Sequence, residues 1–88
     1  MDEKLQSNMK GVGMKCFVDY YYDFREINAV GVLPDTITEK SKRSRQSHAN
    51  WIFRNERELD VLRYIVEVGK VKQPTKDKAL ELLEQETI

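Results

Sequence analysis

The feature that most limits how this chain can fold is the run KCFVDYYYDF, residues 15–24. Read as extended chain, it places Cys16, Val18, Tyr20, Tyr22 and Phe24 on one side, all apolar or aromatic. Lys15, Phe17, Asp19, Tyr21 and Asp23 fall on the other. Period-two alternation in residues of high β-propensity predicts a strand with its first face in a core and its second half-solvated. One face in water and one in the core is the habit of antiparallel sheets.

The rest of the chain extends that reading. Residues 27–33, INAVGVL, predict a second strand, weakened at Gly31. Residues 33–36, LPDT, predict a turn, since Pro34 presets φ and Asp35 tolerates the next position. Thr36, Ile37 and Thr38 then resume as a strand. Residues 40–48 hold no aliphatic side chain and read as a loop. Residues 49–53, ANWIF, predict a short strand, the alternative being a helix that begins near Ser47. Asn55 with Glu58 three residues later fits a helix start. Leu59, Leu62, Ile65 and Val66 recur at helical spacing behind it, and Gly69 offers a left-handed cap. Thr75 begins a last helix carrying Ala79, Leu80, Leu82 and Leu83, with Pro74 separating it from the previous element.

Strands followed by helices predict an α+β domain: a small antiparallel sheet of three or four strands, then two helices packed on one face. Residues 1–13 are polar, contain Gly11 and Gly13, and read as a flexible leader; residues 14–88 then form the single domain. A chain of 88 residues buries only about 60–65% of the surface its unfolded form exposes, so a ligand or a second copy would add to its stability.

Catalytic chemistry finds little support. His48 is the only histidine and Cys16 the only cysteine. A general base needs an orienting partner and a pocket, and a nucleophilic thiol needs nearby cations or a helix start. One Cys and one His do not build a zinc site. Asp19 and Asp23 on one strand would stand about 13 Å apart, too far to share a metal. No glycine-rich phosphate loop or dinucleotide fingerprint is present, so no enzyme activity, cofactor or metal is expected. A lone cysteine points to a reducing, cytoplasmic setting, and no apolar run approaches the ~18–20 residues that span a bilayer.

Charge patterning carries the functional reading. The chain is neutral overall, with 15 cations and 15 acids. Residues 40–57 nonetheless carry six cations, Lys40, Lys42, Arg43, Arg45, Arg54 and Arg57, against the single acid Glu56. Arginine forks beside the hydroxyls of Ser41, Ser44 and Ser47 suit phosphate oxygens. A helix start at Asn55 would add its own preference for an anion. Phe17 and Tyr21, on the outward strand face, are the candidate base-stacking residues. The expected role is a small regulatory or binding protein that contacts nucleic-acid phosphates. The alternative is a protein–protein module, an inhibitor or adaptor docking by a sheet edge or aromatic face, with a homodimer as one form of it.

Overall fold

Every regular segment of the chain is helical. The computed structural model describes Met1–Ile88 and contains α1 (Glu3–Val12), α2 (Met14–Asp19), α3 (Tyr21–Arg25), α4 (Glu39–Arg54), α5 (Glu58–Glu67) and α6 (Gln73–Glu86), with a 3-10 turn at Ala29–Gly31. There is no strand, so the expected α+β architecture is replaced by a helical bundle. None of its helices is long and apolar enough to cross a membrane.

The aromatic run forms α2 and α3 instead of a strand. Phe17, Val18, Tyr21 and Phe24 are buried, and their spacing is that of one helical face. Phe17 meets Tyr21 edge-on at 5.5 Å and stacks near Phe53 of α4 at 5.6 Å. Phe17 and Tyr21, expected to face outward as stacking platforms, are therefore centre-core residues. Substituting alanine for Phe17 should cost about 3–5 kcal/mol.

Residues 1–13, read as a leader, form α1. Asp2 caps it, its carboxylate accepting from the Leu5 amide at 2.8 Å. Leu5, Met9 and Val12 recur every three or four residues and are buried. They dock α1 against α4, and the two helices run antiparallel: Lys4 lies over Trp51, Asn8 meets His48, and Val12 meets Arg45. A Cβ on Gly11 would fall 2.3 Å from the His48 ring, so glycine sets how closely the helices approach. Gly13, at φ 91, turns the chain from α1 into α2.

Residues expected as a loop and a strand form one helix, α4. The Thr38 hydroxyl caps it by accepting from the Ser41 amide. Its inner face carries Lys42, Gln46, Ala49 and Ile52. Gln46, only 6% exposed, clamps the irregular segment that follows α3. Its carbonyl accepts from the Ala29 amide at 3.1 Å, and its amide donates to the Phe24 carbonyl at 3.0 Å and to Asn50 Oδ1 at 2.7 Å. Asn55 ends α4 instead of starting the next helix. The left-handed position there is Glu56, at φ 56, with Arg57 N–H donating to the Ile52 carbonyl. The same arrangement ends α3, with Ile27 at φ 59.

The two C-terminal helices lie where the sequence put them, with shifted ends. Val61, Leu62 and Ile65 of α5 pack on Ala79 and Leu82 of α6, while Leu80 is exposed. Gly69 is not in the left-handed region; its role is close approach, because a Cβ would meet the Ile65 carbonyl at 2.8 Å. Pro74 sits in the first turn of α6, where a missing N–H costs least, and Thr75 is inside the helix, not at its cap.

Candidate nucleic-acid interface

The helix α4 sorts the basic segment into two groups. At 100° per residue, Lys40, Arg43, Ser44, Ser47, Trp51 and Arg54 share one solvent-facing stripe. Lys40, Arg43, Ser44, Ser47 and Arg54 are exposed, and Trp51 is half-buried. From Lys40 to Arg54 the stripe runs about 21 Å at 1.5 Å per residue. Lys4 of α1 joins it, its ammonium 5.6 Å from the Trp51 ring centre. Lys4, Lys40 and Arg54 have no carboxylate within ion-pair distance. Arg43 touches Glu39 at 3.5 Å and stays 72% exposed, a pair that water screens.

The other three expected contacts turn inward or sideways. Lys42 is 8% exposed; its stem lies in the protein and its ammonium emerges 3.5 Å from Asp35. Arg45 donates to the Val12 carbonyl at 2.7 Å, satisfying the C-terminal end of α1. Arg57 lies beyond the helix, held by Asp2 at 2.9 Å and Asp60 at 2.6 Å. These two acids raise its already high pKa, and Arg57 together with the Leu5 amide holds the Asp2 carboxyl below its usual range. Lys42, Arg45 and Arg57 are thus structural cations.

Charge follows the helix pairing. The pair α1 and α4 carries seven cations against two acids, while α5 and α6 carry three against seven. A neutral chain is consequently polarised, with its positive side built on α4.

At the C-terminal end of the stripe lies a cleft of about 390 Å³, lined by Phe24, Arg25, Ile27, Asn50, Phe53 and Arg54. Its floor is aromatic and its rim cationic. Asn50 accepts from Gln46 and leaves its own NH₂ without a partner. Arg25 is braced over the Tyr22 ring and bonded to Glu86. Ile27, 68% exposed, forms part of the rim. A β-branched residue at positive φ is strained by about 1–3 kcal/mol, and such strain collects at binding sites. Sequence reasoning missed this cleft, because Phe53 and Asn50 come together with Phe24 only through the packing of α3 on α4.

The two reactive side chains singled out in the sequence are occupied structurally. His48 Nδ1 pairs with Asn8 Oδ1 at 2.9 Å across the α1–α4 seam. Burial pushes the Cys16 thiol pKa up, against the pull of nearby Arg45, which keeps the thiolate scarce. Compared with protein-family models, with curated proteins and with solved structures, the chain matches none significantly.

Proposed function

We propose that this chain is a small, non-enzymatic, cytoplasmic protein that binds single-stranded nucleic acid. Lys40, Arg43, Arg54 and Lys4 contact successive phosphates, with Ser44 and Ser47 donating hydroxyl hydrogen bonds. At the end of the stripe one base enters the cleft, against Phe53, with Asn50 aimed at its edge and Arg54 on its phosphate. The observation that carries this reading is the α4 stripe: exposed cations on one face of one helix, most of them without an acid partner. A single strand is favoured over a duplex because only an unstacked base can enter the cleft.

The test is fluorescence anisotropy with a labelled mixed-sequence oligonucleotide at low salt. Lys40→Gln/Arg43→Gln/Arg54→Gln should lose most of the affinity. Lys42→Met, which removes an inward cation, should retain it. No binding of DNA or RNA by the unaltered protein would overturn the reading. Binding of an acidic protein in its place, lost in the same triple variant, would reassign the stripe to a protein partner.

A further inference from the structure

We infer that the cleft between α3 and α4 selects guanine over the other bases, an inference that rests on the single-strand reading and names the base that the site favours. The lining is Phe24, Arg25, Ile27, Asn50, Phe53 and Arg54, with no acid among them. Arg25 and Arg54 are donors and nothing else. Asn50 is the one side chain there that carries both a donor and an acceptor.

A relay of hydrogen bonds removes that ambivalence. The Ala29 amide only donates and the Phe24 carbonyl only accepts, so Gln46 between them has a single orientation. Its Oε1 accepts from Ala29 at 3.1 Å and its Nε2 donates to Phe24 at 3.0 Å. The other Nε2 hydrogen then donates to Asn50 Oδ1 at 2.7 Å. With its oxygen turned to Gln46, Asn50 has its NH₂ left for a ligand. Gln46, Asn50 and Arg54 stand four residues apart on one row of α4, so a polarity set by buried backbone is carried out to the cleft.

Arg25 is held in a similar way. Its Nη1 donates to Glu86 at 2.7 Å, its guanidinium lies 4.7 Å from the Tyr22 ring centre, and its Nη2 makes no hydrogen bond within the protein. The Phe24 and Phe53 carbonyls already accept, from Gln46 and from the Glu56 amide. The cleft thus joins an aromatic wall to polar side chains that donate. The clefts beside Tyr64 and Tyr20 contain Asp60, Glu67 or Asp19, and the one at the start of α6 has no aromatic residue.

Donors call for acceptors. Guanine presents two side by side, N7 and O6, and these are the atoms that arginine meets most often. Adenine places an amino donor beside N7, which would face the Asn50 NH₂ donor to donor. Thymine offers O4 beside a methyl group. Cytosine has an adjacent acceptor pair, N3 and O2, but on a smaller ring with less face to lay on Phe53. Asn50 and Arg25 therefore read the guanine edge, Phe53 stacks on the ring, and Gln46 is a positioning residue acting through Asn50.

The experiment is fluorescence anisotropy with a short labelled deoxyadenosine strand in which one central nucleotide is varied. Guanine there should bind about tenfold tighter than adenine. Hypoxanthine, which keeps N7 and O6, should match guanine, and 7-deazaguanine should fall to the level of adenine. Asn50→Asp turns an acceptor into the cleft and should abolish the guanine-to-adenine ratio, whatever its added charge does to both strands. Gln46→Met frees the Asn50 amide to rotate and should also bring the ratio toward one, a change that loss of folded protein alone would not produce. Equal affinity for all the strands, a cytosine strand binding as tightly as guanine, or a ratio unchanged in Asn50→Asp would overturn the inference. If binding in those cases is still lost in Lys40→Gln/Arg43→Gln/Arg54→Gln, the phosphate stripe stands without base selection. No binding of any strand would overturn the single-strand reading and this inference together.

Discussion

The two faces of α4 use the same residue types for opposite ends. On the inner face Lys42, Arg45 and Gln46 reach Asp35, the Val12 carbonyl and the backbone around Phe24 and Ala29. On the outer face Lys40, Arg43, Ser44, Ser47 and Arg54 reach solvent. The difference shows that the helix divides one basic run into engaged structural cations and an exposed stripe. Charge count alone would credit all six cations equally.

Changes on the inner face should act on stability and leave the outer face intact. The largest effect is expected from Ile52→Ala, about 2–5 kcal/mol by denaturant melting. Gln46→Ala should cost about 1–3 kcal/mol, because it strands the Ala29 amide. Ile52→Ala should bind oligonucleotide normally once the folded fraction is accounted for. The outer triple variant should do the reverse. At about 0.5–1 kcal/mol per cation its affinity falls roughly 10- to 100-fold, with stability within about 0.5 kcal/mol of the parent. An inner-face variant that binds poorly when fully folded would break the distinction.

The two strained helix ends sharpen it further. Ile27→Gly and Glu56→Gly each relieve a positive φ and should stabilise by about 1 kcal/mol. Only Ile27→Gly removes part of the cleft rim, so only it should weaken oligonucleotide binding. Equal effects on binding would separate the cleft from the stripe.

The smallest expected effects are those of pH. The Asp2 carboxyl has a lowered pKa, from the Leu5 amide first and Arg57 second. The unfolded chain therefore takes up this proton before the folded one does. The stabilisation is present above about pH 4, the ordinary aspartate range, and is lost as pH falls through the lower folded value. Amide exchange in α1 should quicken there, and Asp2→Asn, which keeps the cap, should blunt the change. Tyr21 has the opposite sign: burial, then its bond to Glu86 at 2.9 Å, push its phenol far above the usual range. Its contribution is complete below about pH 10 and fades above it. Tyr21→Phe should lessen that alkaline loss in a melting series.

Part of this was legible in the sequence. The apolar stripes of α5 and α6 stand out because aliphatic residues recur at helical spacing with little competing pattern. The aromatic run did not resolve. Phe17, Val18, Tyr21 and Phe24 make a helical stripe, but aromatic residues also fill alternate positions, and β-propensity favoured the wrong period. In α4 the obstacle was different. Two of its four buried positions are Lys42 and Gln46, which reach Asp35, Ala29 and Phe24, 7 to 22 residues away. No local pattern announces a helix whose inner face is half polar. Likewise Leu5, Met9 and Val12 hold α1 only because α4 packs against them, with its His48 ring seated on Gly11 of α1. The site was legible as a region of charge, and its sorting into Lys40, Arg43 and Arg54 against Lys42, Arg45 and Arg57 required the helix.

The most direct test of the α4 stripe is the salt dependence of single-strand binding, measured in parallel for the parent and the Lys40→Gln/Arg43→Gln/Arg54→Gln variant. Four phosphate contacts give a slope of log K against log salt of about −2.8, and the variant, left with Lys4, should fall to about −0.7. The same slope for both proteins would show that the bound strand lies elsewhere on the molecule.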